Sequence, residues 1–288
     1  MKDDKEHIRL DAIDKQSKAF FAGGTFRWKK SEAEVLAGLD EQIRRRAAGR
    51  SFRLSMRMGA MVASFLLIVA LGSFLRFYSA TVEVSAGTHQ LVDLPGGSKV
   101  ELNAGSSLSY YPYWWNFQRI VSLEGEAFFD VQKGRKFVVR SSRGKTQVLG
   151  TSFNILARGK QYRVTCLSGS VRVSSKHRQK VVLTPGSQAI VLPDGEIELR
   201  QNIETYPEVS WRKHVFVFTA TPIQSVFEEI ERQYGVTIQT TIKEEILYTG
   251  NFTKEQDVED ILAYVCPALG LKYSRKSPTL YFISYENE

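Results

Sequence analysis

Cysteine and histidine are scarce in this sequence, which limits the kinds of site it can form. The 288 residues include two cysteines, Cys166 and Cys266, and four histidines. Two cysteines at unrelated positions do not make a disulfide framework, and we expect two buried free thiols rather than a bridge. The histidines have no Cys, His or Asp at a metal-ligand spacing, so we expect no metal site and no other cofactor. These four residues are His7, His89, His177 and His214.

Positive charge is in excess overall, but it is unevenly distributed. The formal net charge is +8, and residues 1–57 carry 14 lysines and arginines against 9 acids. The remaining residues carry 25 against 22. A nucleic-acid-binding surface needs clustered positive charge, and the longer part of the chain is too nearly neutral to supply it. We therefore expect no direct nucleic-acid partner.

One long run without charge stands out, MGAMVASFLLIVALGSFL at residues 58–75. As a helix, these residues would span roughly 27 Å, close to the thickness of a bilayer's hydrocarbon core. A core helix of a soluble protein is usually shorter and amphipathic, and a signal peptide would begin near the first residue. The run predicts a transmembrane helix over residues 57–76.

The charges that flank this run predict its orientation. Before it, the last acid is Glu41, and after it, Arg76 is the only basic residue until Lys99. Positive residues beside a membrane helix remain in the cytoplasm. We therefore expect a single-pass inner (plasma) membrane protein with a cytoplasmic N-terminus and periplasmic residues from about 77 onward. The flanking arginines are Arg44, Arg45, Arg46, Arg50, Arg53 and Arg57.

Residues 1–52 are predicted to be a short helical segment with an unusual amount of apolar surface. Ser31 and Glu34 have the spacing of a capping box, which predicts a helix start. A segment this small cannot bury its aromatic and aliphatic side chains alone. It is either a docking segment that folds on a cytoplasmic partner, which we favour, or a miniature helical bundle with a weak core. The contact residues proposed for docking are Trp28, Leu36, Leu39 and Ile43.

Beyond the apolar run, the pattern changes to short strands. Alternating apolar and polar residues, with glycines at intervals near ten residues, predict an all-β domain over residues 80–195. This pattern fits a sandwich, a roll or a β-helix. The polar stretch from 193 to 207 is expected to be a linker or an edge strand.

Residues 210–288 follow a different pattern, in which strand, helix and strand occur twice. The first helix is expected to start at Pro222 and to end at Gly235, and the second carries Val258 and Val265. A closing hairpin follows, so the pattern predicts a small α+β domain. The fold class is thus a membrane-anchored, multi-domain protein with a short α segment, one transmembrane helix, an all-β domain and an α+β domain.

The all-β region contains six motifs: QLVDLPGGSKVELN (90–103), RIVSLEGEAFFDV (119–131), FVV (137–139), VLGTSFN (148–154), GSV (169–171) and LTPG (183–186). In order and spacing, they resemble the motifs of FecR-type transmembrane anti-sigma factors. The C-terminal module resembles the domain found after this region in the Bacteroidetes branch, which is similar to the short domain of secretins and TonB-dependent receptors. WKKSE at residues 28–32 resembles the cytoplasmic segment of that branch.

Most motif residues have an expected structural role. LPGG at 94–97 and LEGE at 123–126 are predicted to be turns in which glycine permits positive φ. Phe128, Phe129 and Phe153 are predicted to be core residues. This family usually has Asp where this chain has Gly96 and Pro where it has Lys136, so local turn geometry is expected to differ.

The resemblance implies an anti-sigma factor. Such a protein holds an extracytoplasmic-function sigma factor at the inner membrane through its cytoplasmic segment. Its outer part receives a signal from the periplasmic signalling domain of an outer-membrane TonB-dependent receptor. In some relatives a Gly–Thr bond in this region is self-cleaved, which makes Gly150 and Thr151 a candidate processing site. The alternative is that Thr151 only pairs within a turn.

Two other function classes remain open. One is a membrane-anchored scaffold of the cell envelope. The other is a glycan-active envelope enzyme, for which Glu124, Glu126 and Asp130 are the acids that come close together in sequence. Nothing in the sequence marks a second group across a cleft, and we expect no enzymatic activity.

Overall fold

The computed structural model describes residues 30–177 and 179–286, with residues 15, 18, 19 and 22; for residues 47–54 it describes the backbone alone. Contacts divide the chain into two compact units, Met1–Ala70 and Leu71–Glu288.

A single helix, α1, runs over Glu32–Phe77. It begins with the predicted capping box, in which the Ser31 amide donates to Glu34 Oε2 at 3.1 Å and the Glu34 amide donates to Ser31 Oγ at 3.3 Å. Its segment Ser55–Phe77 has a mean hydropathy of 2.2 and is long and apolar enough to cross a membrane. No residue of the most apolar window is buried. Among the described residues, this segment is the one candidate membrane span, and it begins two residues before and ends one residue after the predicted range of 57–76.

In the described residues that follow α1, thirteen strands form the predicted all-β domain. The strands are β1 (Ala80–Val84), β2 (Gln90–Asp93), β3 (Lys99–Leu102), β4 (Ser106–Tyr110), β5 (Arg119–Asp130), β6 (Phe137–Arg140), β7 (Gly144–Val148), β8 (Ser152–Arg158), β9 (Gln161–Cys166), β10 (Val171–Ser175), β11 (Lys180–Leu183), β12 (Ser187–Val191) and β13 (Ile197–Arg200). A 3₁₀ turn, Pro112–Trp114, lies between β4 and β5. The stretch after residue 193 contains β13, which pairs with β12 as an edge strand rather than forming a linker.

The strands form two sheets that share β5. The first sheet has the order β11-β10-β7-β6-β5-β4-β1, and the second has the order β13-β12-β9-β8-β5-β3-β2. Apolar side chains from both sheets meet in one core, which identifies a sandwich among the three predicted architectures. Phe129 and Phe153 stack at its centre with ring centroids 5.0 Å apart.

Strand β5 changes sheet at Gly125. Glu124 pairs with Ser107 in the first sheet, whereas Gly125 pairs with Ala157 in the second. Gly125 has φ +106°, and a Cβ there would lie 2.6 Å from the Cα of Ser106. The predicted turn at 123–126 is therefore wrong, because a glycine inside a strand can bend it without ending it. The predicted turn at 94–97 is confirmed, since the Gly97 amide donates to the Leu94 carbonyl at 3.2 Å.

The C-terminal domain has the predicted α+β composition. Its strands form two small sheets, one of β14 and β16 and one with the order β15-β18-β17, in which β15 and β18 are parallel. Gly235 ends the first long helix in the left-handed conformation. The elements are α2 (Tyr206–Val209), a 3₁₀ turn (Ser210–Lys213), β14 (Val215–Pro222), α3 (Ile223–Tyr234), β15 (Thr237–Thr240), β16 (Leu247–Thr253), α4 (Val258–Val265), a 3₁₀ turn (Pro267–Leu269), β17 (Leu271–Ser277) and β18 (Leu280–Tyr285).

Candidate functional sites

The predicted sigma-factor contact lies on the first part of α1. Leu36, Leu39 and Ile43 are 60%, 51% and 60% exposed, so this apolar stripe is not buried in a core. Their spacing places them on one face of the helix. The fourth predicted contact residue, Trp28, lies outside the described residues.

The predicted processing site lies between β7 and β8, inside the all-β domain. Thr151 is buried. Its amide donates to the Val131 carbonyl at 3.1 Å, and the Val131 amide donates to the Thr151 carbonyl at 3.0 Å. These two hydrogen bonds hold the Gly150–Thr151 peptide against the end of β5.

The backbone is packed closely around this peptide. A Cβ on Gly150 would lie 2.6 Å from Lys133 Cα, and a Cβ on Gly169 would lie 3.0 Å from the Gly150 carbonyl oxygen. Neither Gly150 nor Thr151 has a positive φ, so the left-handed strain that would favour cleavage is not found. The unusual feature is the Thr151 hydroxyl, which is buried and has no hydrogen-bond partner among the described residues.

The outer face of the second sheet forms a further site, which sequence reasoning missed. Glu126 and Phe128 alternate with the core residues Ala127 and Phe129, so they point away from the sandwich core. Both are nevertheless buried, because the C-terminal domain packs on this face. Phe128 belongs to the same apolar cluster as Trp211. Phe128 is thus a core residue, as predicted, but it belongs to the core of the C-terminal domain and not to that of the sandwich.

Glu126 lies at the centre of a buried polar network on this face. Asn103 Nδ2 donates to its Oε2 at 2.8 Å, and Asn154 Nδ2 donates to its Oε1 at 2.9 Å. Burial raises the pKa of Glu126, and the nearby carboxylate of Glu229 raises it further; Arg158 and the two amides oppose the shift. The carboxyl is therefore held by amides rather than by a direct ion pair.

Gln233 on α3 connects this network to the C-terminal domain. Its Nε2 donates to Asn103 Oδ1 and to Glu229 Oε1, both at 2.8 Å. Its Oε1 lies 3.1 Å from His89 Nε2. The His89 ring stacks on the His214 ring, with the two centroids 4.8 Å apart. Burial lowers the pKa of His89, since it disfavours the charged imidazolium.

Charged contacts complete the interface between the two domains. Arg212 Nε lies 2.6 Å from Glu101 Oε2, and its guanidinium carbon lies 3.7 Å from the centre of the Phe128 ring. Arg163 Nε lies 3.2 Å from Glu208 Oε2. Beside these contacts, a groove of about 1140 Å³ is lined by both domains, including all of β14.

The three acids considered for an enzyme do not form a matched pair. Glu124 and Asp130 are exposed, whereas Glu126 is buried behind its two amide donors. The hydroxyl of Ser152 donates to Asp130 Oδ1 at 3.1 Å.

Comparison with known proteins agrees with this architecture. Residues 80–172 match the family model "FecR protein", and residues 215–282 match "FecR, C-terminal"; together these ranges cover more than half of the chain. Two crystal structures of a candidate anti-sigma factor from Parabacteroides distasonis, at 2.50 and 1.65 Å resolution, are similar, with TM-scores of 0.66 and 0.65. In both, identity is 29%, and the match covers 72% of this chain and 99% of that chain. No protein of curated function matches.

The chain therefore belongs to the FecR family of anti-sigma factors. The resemblance noted from the sequence motifs is confirmed. The predicted fold class is confirmed as well: the described residues contain one candidate membrane helix, a mostly β FecR-like domain and a smaller α+β region.

Proposed function

We propose that this protein is a membrane-anchored anti-sigma factor whose cytoplasmic segment, residues 1–52, holds an extracytoplasmic-function sigma factor at the inner membrane. The observation that carries this proposal is the exposed apolar stripe of Leu36, Leu39 and Ile43, which lies on the part of α1 that precedes the candidate membrane span. Residues at i, i+3 and i+7 are the anchors that an amphipathic helix inserts into a partner's groove. Trp28 belongs to the same proposed contact.

The free energy available from this stripe is large enough for regulated binding. Full burial of a leucine or isoleucine side chain contributes about 1.5–3 kcal/mol relative to exposure. Removing three such anchors would weaken the complex by several powers of ten, before ordering costs are considered. We propose that the protein regulates the sigma factor by binding and inhibiting it, and not by catalysing a reaction.

The proposed topology follows from charge. The arginines that precede the span, from Arg44 to Arg57, would remain in the cytoplasm, and the FecR-like and α+β domains would lie in the periplasm. The segment boundaries that we propose are 1–52 for the cytoplasmic part, 57–76 for the span, 80–195 for the FecR-like domain and 210–288 for the C-terminal domain.

The outer unit is proposed to receive its signal from the periplasmic signalling domain of an outer-membrane TonB-dependent receptor. Because the two domains share an extensive polar interface, we expect them to move together as one rigid body when such a partner binds. An outer ligand can change inner affinity only through a coupling free energy between the two sites. Proteolysis would supply such coupling, because it would release the cytoplasmic segment.

Self-cleavage at Gly150–Thr151 is a second proposal, favoured by the buried and unpaired Thr151 hydroxyl. In this reaction, Oγ1 attacks the Gly150 carbonyl carbon, the C–N bond breaks, and the nitrogen takes up a proton to become the free amine of Thr151. Water then hydrolyses the resulting ester to a Gly150 carboxylate and the threonine hydroxyl.

Sigma-factor binding is tested with a triple variant, Leu36→Ala, Leu39→Ala and Ile43→Ala. We expect the full chain to retain a cotranscribed sigma factor in a pull-down and to repress its reporter, and the triple variant to do neither. Glu41→Ala is the matched control, because Glu41 lies on another face of the same helix and is exposed. Equal retention by the triple variant would refute the contact, and no retention by the wild type would favour the envelope-scaffold alternative.

Self-cleavage is tested on denaturing gels of the full chain. We expect two fragments that meet at Gly150–Thr151, their loss in Thr151→Ala, and their persistence in Ser152→Ala, which removes the neighbouring hydroxyl. A single intact band in the wild type, unchanged by Thr151→Ala, would dismiss the proposal.

A further inference from the structure

Aromatic side chains are concentrated in the segment between β4 and β5, at residues 111–117, which we call the aromatic loop. Its sequence is YPYWWNF. Tyr113 is 55% exposed and Phe117 is 68% exposed, although aromatic side chains are usually largely buried. Neither the proposed sigma-factor contact nor the interface between the two domains uses this loop.

The loop contacts the end of the membrane-spanning segment. The Tyr113 ring lies 6.5 Å from the ring of Phe74 and 5.3 Å from that of Tyr78. The guanidinium of Arg76 lies 5.0 Å from the ring of Trp114, within the range of a cation–π contact. Phe74 and Arg76 both belong to the segment Ser55–Phe77.

The loop is also fixed to the FecR-like domain. Trp115 points inward and is buried in the sandwich core, where its ring meets that of Phe137 edge-on at 5.8 Å. Arg135 donates a hydrogen bond to the Asn116 carbonyl. One tryptophan therefore anchors the loop, while the residues on either side of it stay on the surface.

We infer that the aromatic loop lies in the phospholipid headgroup layer of the leaflet at which α1 ends, and that it holds the FecR-like domain against the bilayer. This inference rests on the proposed membrane anchoring. The depth of Phe74 is set by the span, so a loop that touches Phe74 cannot be far from the lipid surface. Tryptophan and tyrosine are the residues that favour this layer, since their rings are apolar and their tips are polar. A lone arginine beside them matches the lipid phosphates in charge.

The test uses the full chain in phospholipid nanodiscs with a nitroxide on Phe117→Cys. Phe117 is suited to labelling because it is exposed and, within the described part of the chain, its ring contacts only that of Trp114, with the centroids 4.5 Å apart. The native thiols will not compete, because Cys166 and Cys266 are buried and burial raises their pKa values to about 11 and about 12. The matched control is Ser142→Cys, in the turn between β6 and β7, at the other end of the first sheet.

The readout is the ratio of nitroxide collisions with lipid-soluble oxygen to those with a water-soluble nickel chelate. We expect this ratio to be several-fold higher at Phe117→Cys than at Ser142→Cys. Equal ratios would overturn the inference. Slow collisions with both reagents at Phe117→Cys would also overturn it, because they would indicate a protein partner or a closed surface rather than lipid.

A third label separates this inference from the proposed anchoring. Leu67→Cys lies within the span, and its label must collide mainly with oxygen if α1 crosses the bilayer. A lipid-facing Leu67 label with a water-facing Phe117 label would refute the surface contact alone. A water-facing Leu67 label would refute the anchoring itself.

A second measurement does not depend on a cysteine variant. Phospholipids brominated close to the glycerol backbone should quench part of the tryptophan emission of the wild-type chain, and this part should be lost in Trp114→Phe. Quenching that is unchanged by Trp114→Phe would contradict the inference.

Discussion

The two units of this chain use the same apolar residues in opposite ways. In the first unit, Leu67 is 70% exposed, whereas Leu102 in the sandwich core of the second unit is fully buried. Each of the two domains of the second unit has its own apolar core. The described part of the first unit exposes apolar side chains, which we expect a bilayer or a partner protein to cover. We therefore expect the free energy of unfolding to come mainly from the second unit. We expect a helix of the first unit to bind the partner.

The largest expected effect on stability is in the sandwich core. Phe129→Ala removes a fully buried ring that stacks on Phe153, and it should lower the free energy of unfolding of the second unit by about 3–5 kcal/mol. Phe117→Ala, at an exposed ring of the same domain, should change it by less than about 0.5 kcal/mol. Urea titration of the solubilised full chain, followed by near-UV circular dichroism, measures both. Similar losses in the two variants would contradict the assignment of the core.

The buried network at the interface should produce the next largest effect. Glu126→Ala leaves the side-chain amides of Asn103 and Asn154 without their acceptor, which should cost about 2–4 kcal/mol. Glu126→Gln should cost much less, because a reoriented Asn154 amide can accept from the new side chain. The same urea titration measures both variants. A loss in Glu126→Gln equal to that in Glu126→Ala would show that the carboxylate charge itself is required.

The same residue gives a pH dependence whose sign is fixed. The pKa of Glu126 is raised above its ordinary value of 4.5, so the folded protein holds this proton more tightly than the unfolded chain. Its contribution to stability is thus lost as the pH rises from 4.5 toward the raised value. His89 has the opposite effect, because its pKa is lowered and the unfolded chain holds this proton more tightly than the folded protein. The free energy of unfolding therefore decreases as the pH falls below 6.5.

Glu126→Gln and His89→Gln separate the two contributions. We expect Glu126→Gln to remove the decline above pH 4.5 and His89→Gln to remove the decline below pH 6.5. Unfolding free energies measured across this range test both. An unchanged pH profile in Glu126→Gln would mean that the carboxyl titrates as if it were exposed.

Local features of the fold were predictable from sequence, whereas the interface was not. The capping box at Ser31, the apolar run and the glycine stop at Gly235 act within a few residues, so their signals are local. Gln233 bonds to Asn103 across 130 positions, and no periodicity indicates such a partner. The sequence indicates that Gly125 permits an unusual backbone conformation, but both a turn and a bend within a strand favour glycine. The pairing of β5 with both sheets shows that it is a bend.

The smallest expected effect is at a charged contact of the interface. Arg212→Lys keeps the charge beside Glu101 but loses the planar group over Phe128, which should cost about 0.5–1 kcal/mol. Arg275→Lys is the matched control, since its pair with Glu259 is about half exposed and should contribute little. Chemical denaturation of both variants measures the difference. Equal losses would mean that stacking on Phe128 adds nothing.

The proposed sigma-factor binding depends on the orientation of the chain in the membrane, because a sigma factor is cytoplasmic and residues 1–52 must be on the same side. Single cysteines at Lys30 and Ser142, read with a membrane-impermeant maleimide on spheroplasts, test it most directly. The account predicts that Ser142→Cys is labelled at once and that Lys30→Cys is labelled only after the membrane is lysed. Immediate labelling of Lys30→Cys with protection of Ser142→Cys would contradict it.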